Sequence, residues 1–296
     1  MQLKRKRQRS AWSSYLFLLA PLIIYGVFFI YPSLLALINS FFKWDGISPV
    51  KEFVWFRNYQ KMLADKVFHK AFLNTVKYML TLLVFQTLCG LLLAVLLRES
   101  TRINNLFRTA YFLPMMMSAV TVGLIWSFIY DPNIGALNEL LRKIGLAKLT
   151  RSWLSDEKLA IYAVAFVHVW VGIGQSTVLF VAGLQNIPGE LYESAQIDGA
   201  TGLAQFVNIT LPLLKPTTLT VVVLTTIGAF KSFVYVFVMT GGGATHSSEV
   251  LATLLYREAY GYSDFGYSAA ISVALLVIVS ILTTVQMRGL SEKEGG

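Results

Sequence analysis

An all-α fold of six membrane-spanning helices is the architecture this sequence predicts, and three observations predict it. Of 296 residues, 55% are hydrophobic and the mean hydropathy is +0.60, too apolar for a soluble domain. Apolar windows recur at 13–39, 75–97, 107–130, 159–185, 216–239 and 266–287, each near the roughly 20 residues that a bilayer core requires. Lipid offers no water to loose backbone groups, so only helices and closed barrels cross it, and these runs are far too long for barrel strands.

The first window follows Lys4, Arg5, Lys6, Arg7 and Arg9. It exceeds the apolar core of a signal peptide and lacks a convincing cleavage site, so it is read as a retained span. Residues 1–12 then form a basic cytoplasmic N-terminus, 13–39 the first transmembrane helix, and 70–290 the main transmembrane domain. The net charge of +9 has no basic domain to decorate. It encodes orientation instead, with N- and C-termini in the cytoplasm and Arg98, Arg102 and Arg108 in a short inward loop. Loop 186–215 then faces inward, and loops 40–74, 131–158 and 240–265 face outward. Lys61, Lys66, Lys70, Arg142 and Lys143 in the outward loops run against this count, although long loops weigh little in it. Cys89, the single cysteine, lies inside the second span, which excludes an intramolecular disulfide and a thiolate metal site.

The inward loop 186–215 carries ordered helix signals. Pro188 suits a first turn, Glu190 and Glu193 suit a positive helix end, and Gly199 suits the left-handed residue that stops the helix. Thr201 is placed to cap a second helix through Phe206 and Ile209, which Pro212 and Pro216 break. Local physics leaves two readings open: a docking element for a soluble partner, or an amphipathic hairpin resting on the headgroups.

Glu193-Ser194-Ala195, Asp198-Gly199-Ala200, Phe206, Ile209, Leu211-Pro212 and Pro216 resemble the signature loop of permease subunits of binding-protein-dependent ABC importers. Ser194 stands where that family more often has Ala. Thr240-Gly241-Gly242-Gly243 resembles the Gly-Gly-Pro turn of the carbohydrate-importing branch, which includes the larger maltose permease subunit and the glycerol-phosphate permeases; here Ala244 follows. Tyr256, Ala259-Tyr260 and Phe265-Gly266-Tyr267-Ser268-Ala269-Ala270 resemble that branch's entry to its last span.

The resemblance implies a permease in a bacterial or archaeal cytoplasmic membrane that translocates a sugar or oligosaccharide. It implies a second homologous permease, two ATPase subunits and an external solute-binding protein as partners. ATPase coupling would fall to Glu193, Ser194, Ala195, Asp198, Gly199, Ala200, Leu211 and Pro212. ATP and Mg would be bound by the partner subunits and no cofactor by this chain, which lacks a phosphate loop ending in Gly-Lys-Ser/Thr.

Polar groups inside spans are expensive and face a cavity or a neighbouring helix. His168, Gly172 and Gln175 share one face of the fourth span, with Trp170 to one side. Thr225, Gly228, Ala229 and Ser232 form a face of the fifth, with Phe230 and Lys231 nearby. The two faces are candidates to line one cavity, and helix packing by small residues is the alternative. The resemblance to the larger maltose permease subunit places His168, Gly172, Gln175, Thr225, Gly228, Ala229 and Ser232 at or near its sugar-contacting positions. Trp170 and Phe230 offer aromatic faces for C–H surfaces, and Lys231 would suit a phosphate or carboxylate, so a sugar phosphate such as glycerol phosphate is the alternative cargo. Tyr256, Tyr260, Tyr262 and Tyr267 are read as an interfacial belt. No Asp or Glu lies well inside a window, which counts against an ion-coupled secondary transporter. His168 has no carboxylate, Cys or second His at ligand spacing, which counts against a membrane enzyme.

Overall fold

The computed structural model describes residues 17–97 and 101–291. The basic segment 1–12, residues 13–16 of the first window and Arg98 lie outside the described residues. Along the chain, α1 (Phe17–Asn39) leads to a hairpin of β1 (Phe42–Lys43) and β2 (Glu52–Phe53), then α2 (Arg57–Ala64) and α3 (Lys66–Leu96). Next come α4 (Arg102–Phe112) with a 3₁₀ turn at Leu113–Met116, α5 (Ala119–Ile129), α6 (Ala136–Lys143) and α7 (Ala160–Gln185). The rest is α8 (Gly189–Ile197), α9 (Gly202–Leu213), α10 (Lys215–Phe230), α11 (Val234–Thr240), α12 (Leu251–Tyr256) and α13 (Phe265–Ser291). The protein is thus mainly helical, and the paired two-residue strands are the small departure from an all-α fold.

Among the described residues, 4 helices are long and apolar enough to cross a membrane by themselves, or up to 6 if each bent pair is one span. The unbroken ones include α3, which starts at Lys66 rather than 75 because Asp65 caps it, accepting from the Val67 N–H (2.8 Å). Its 31 residues extend about 47 Å at 1.5 Å per residue, beyond the roughly 30 Å of hydrocarbon. The 107–130 window is not one straight helix: α4 with its 3₁₀ turn and α5 meet at 102°. Pro114 and the extended Met117 (ψ 149°) and Ser118 (ψ 133°) break the ladder there. The 216–239 window is interrupted between Phe230 and Val234. Upstream, α9 and α10 form a pair bent by 64°, where Pro216 has no N–H to return to Pro212.

The chain divides into two compact units, Met1–Ala64 with Leu255–Ala274, and Asp65–Leu254 with Leu275–Gly296. In the first, Asn58 is buried and donates to the carbonyls of Ser40 (2.8 Å) and Phe42 (2.9 Å), tying the end of α1 to the hairpin. In the loop between the strands, Asp45 accepts from the Ser48 hydroxyl and from the Ser48 and Ile47 amides, which hold its carboxyl down at about 2. Lys61 pairs with Asp264 at 2.7 Å and sits 3.9 Å over the Tyr267 ring. Tyr267 is fully buried, so it does not belong to an exposed interfacial belt; Tyr260 and Tyr262 are exposed.

The core of the second unit is the α3–α7 pair, with α10 against both. Close approach rests on small residues, as it does where lipid removes the hydrophobic drive between helices. A Cβ on Gly90 would lie 2.7 Å from Ser176 Cβ, and one on Gly183 would meet Thr217. Between α11 and α12, Gly241, Gly242 and Gly243 all take positive φ, which makes the glycine run a turn. Asn74 of α3 pins the segment that follows, donating to the Ser247 (3.0 Å) and Glu249 (3.1 Å) carbonyls. Glu249 is fully buried there, with His246 Nδ1 at 3.0 Å from its carboxylate.

Candidate functional site

Two constellations follow from this scaffold. The first is the α8–α9 hairpin. Pro188 has φ −58° and ψ 131° and precedes α8, whose first turn holds Glu190; Glu193 lies one turn further on. The helix stops at Gly199 (φ +80°), where the Ala200 N–H reaches the Ala195 carbonyl (2.8 Å) and the Gly199 N–H reaches Gln196 (3.1 Å). This double closure satisfies carbonyls that a helix end leaves open. Thr201 then caps α9 by accepting from the Ala204 N–H (3.4 Å).

Two side chains hold the hairpin to the helices behind it. Within the hairpin the Tyr192 hydroxyl ties α8 to α9, bonding Thr210 Oγ1 at 2.9 Å. Tyr192 and Ile209 also pack on a buried cluster containing Phe180, Leu184 and Leu214. The opposite surface is open: Glu193, Ser194, Asp198, Gly199, Leu211 and Pro212 are exposed, and Ala195 and Ala200 are half-buried. Ile197 (87%) and Leu203 (75%) expose most of their apolar surface.

The second constellation is a cavity of about 60 Å³ enclosed by α3, α7 and α10. His168, Gly172 and Gln175 line it from α7, and Thr225 and Gly228 from α10, so the two polar faces do meet. Other expected residues lie elsewhere. Ala229 and Phe230 are buried in packing, Lys231 is exposed at the end of α10, and none of the three lines the cavity. Trp170 turns away and meets Trp126 edge-on, with 5.5 Å between ring centroids. Ser232 reaches the region indirectly, donating to the Tyr78 hydroxyl (3.0 Å), which in turn bonds His168 Nδ1 (2.9 Å).

Sequence reasoning missed the contribution of α3. Tyr78, Leu82 and Gln86, spaced by four, present one face. Gln86 Nε2 donates to the Gly172 carbonyl (3.2 Å) and to Ser176 Oγ (3.0 Å). Tyr235 packs on His168 with centroids 4.8 Å apart. The signal was present, because a Gln and a Tyr inside an apolar window demand partners. Among the described residues, no group of three or more His, Cys, Asp or Glu is placed to hold a metal ion.

Residues 86–291 match the family described as binding-protein-dependent transport system inner membrane component. The probable ABC transporter permease protein YurN of Bacillus subtilis is 39% identical over 276 residues, covering 93% of this chain and 94% of that protein. The multiple sugar-binding transport system permease protein MsmF of Streptococcus mutans is 32% identical over 289 residues, 98% of each chain. The fold also matches the crystal structure of a bacterial ABC transporter involved in the import of the acidic polysaccharide alginate. There the TM-score is 0.83 at 23% identity, with 99% of each chain covered. The chain therefore belongs to the binding-protein-dependent transport system inner membrane components, the permeases of ABC transporters.

Proposed function

We propose that this permease translocates a sugar or oligosaccharide into the cell and that loop 186–215 receives the driving force from separate ATPase subunits. Its span count is six, with both termini cytoplasmic, and it works beside a second homologous permease and an external solute-binding protein. ATP and Mg belong to the ATPases. The carbohydrate assignment is supported by relatives such as MsmF, whose name gives a multiple sugar-binding system.

The observation that carries the coupling role is the construction of the α8–α9 hairpin. A helix closed at Gly199, bonded to α9 through the Tyr192 hydroxyl and packed through the Tyr192 ring on the buried cluster containing Phe180 and Leu184, transmits a rigid-body push, whereas a loose loop absorbs it. Its outer surface offers Glu193 and Asp198 for polar contacts and Ile197 and Leu203 for an apolar groove. A hairpin merely resting on headgroups would need the apolar side chains but not Glu193.

At about 60 Å³ the cavity is far below the roughly 300–1,000 Å³ of ligand pockets. It represents the site before the helices part to admit solute, and His168, Gly172, Gln175, Thr225 and Gly228 would contact the solute once they do. The test is to reconstitute the importer with its ATPases and binding protein and compare Glu193→Ala with wild type. ATP hydrolysis is expected to continue while uptake falls about tenfold, the loss of one charge-assisted contact or so. Uptake equal to wild type would remove Glu193 from the coupling surface.

A further inference from the structure

We infer that Ser232 and Tyr78 hold His168 as its Nε2–H tautomer, and that the cavity so furnished takes an uncharged hydroxylated solute rather than a phosphorylated or carboxylated one. This rests on the permease reading above and adds to it the charge class of the cargo.

Tyr78 is fully buried, so its hydroxyl proton must be bonded within the protein. Ser232 Oγ donates to the phenol oxygen (3.0 Å), which leaves the phenol's single proton for His168 Nδ1 at 2.9 Å. Nδ1 therefore accepts, and the neutral ring carries its own proton on Nε2. Nε2 has no hydrogen-bond partner among the described residues, and His168 lines the cavity. The ring presents a donor.

Gln86 is fixed in the complementary sense. Among the described residues both of its hydrogen bonds are donations from Nε2, to the Gly172 carbonyl and to Ser176 Oγ, and its amide lies flat over Gly172. The residue is 6% exposed and lines the same cavity, with its Oε1 left as an acceptor. A sugar hydroxyl both donates and accepts, so it satisfies His168 and Gln86 alike. An ionised carboxylate or a phosphate dianion only accepts, so placed there it would leave the Gln86 oxygen facing negative charge. No Lys or Arg is among the described residues lining the cavity, and Lys231 is exposed away from it. An anion desolvated there would have no compensating cation.

The experiment uses the assembled importer, reconstituted in lipid with ¹⁵N-histidine in this chain. The chain holds three histidines, His69, His168 and His246, so the His168 signal is identified by its loss in His168→Asn. An Nε2–H signature that converts to a tautomer mixture in Tyr78→Phe is the expected result. An Nδ1–H or doubly protonated ring in the wild type overturns the assignment. In parallel, the same proteoliposomes are offered radiolabelled glycerol 3-phosphate. No accumulation is expected, and accumulation refutes the uncharged-solute class while leaving the permease reading intact. Failure to transport any solute, with the Nε2–H signature present, would strike the permease reading and not the tautomer.

Discussion

Gly199 holds φ +80° with open space where a Cβ would sit, so its substitution by Ala carries only a conformational cost. For an L residue in that region the cost is about 1–2 kcal/mol, and it falls on the closure that ends α8. Gly199→Ala is expected to insert into the membrane normally and to lower uptake per ATP hydrolysed, measured by parallel phosphate-release and uptake assays. Gly172 poses the opposite problem, one of space. A Cβ there lies 2.6 Å from Gln86 Oε1, so the amide must swing out of both of its hydrogen bonds. Gly172→Ala is expected to raise KM for the transported solute with little change in the amount of folded complex, read from solute titration and size-exclusion recovery. Gly199 and Thr201 were legible in sequence because each has a backbone job at a fixed offset, the one stopping a helix and the other capping one. Gln86 and Tyr78 signalled only a need for partners inside an apolar window; which partners depends on the helices that pack on α3, and no local pattern states that.

At the scale of elements, the α8–α9 hairpin, proposed as the lever, is stiffened by the Tyr192–Thr210 hydrogen bond and by packing on an apolar cluster. Tyr192→Phe removes the 2.9 Å bond to Thr210 while keeping the ring against Leu184 and Leu214. The loss is expected to be about 1 kcal/mol, seen as faster amide exchange across 189–213 with that of α7 unchanged. The broken windows belong to this scale too. Hydropathy registered 107–130 and 216–239 as continuous because Met117, Ser118 and Ser232 are tolerable in an apolar average, yet backbone angles at 117–118 end one ladder and start another. Four of the five basic residues that ran against the expected orientation find local partners. Lys61 meets Asp264, Arg142 and Lys143 meet Glu139, and Lys70 donates to the Thr245 carbonyl.

For the whole molecule, fold class was the most legible property, since lipid leaves the backbone so few options. The family was equally legible from the loop between the fourth and fifth windows, and residues 86–291 match it. The cargo was the least legible. Trp170 and Lys231, which composition offered as an aromatic platform and an anion partner, point away from the cavity, and an uncharged lining remains. The central claim is that this chain moves its solute on energy delivered by ATPases through loop 186–215. Proteoliposomes holding the complete importer, with ATP enclosed on the ATPase side and a radiolabelled solute loaded on the binding protein outside, test it most directly. Uptake with ATP, and none with a proton or sodium gradient alone, is the expected result; uptake driven by the gradient in the absence of ATP would contradict the account.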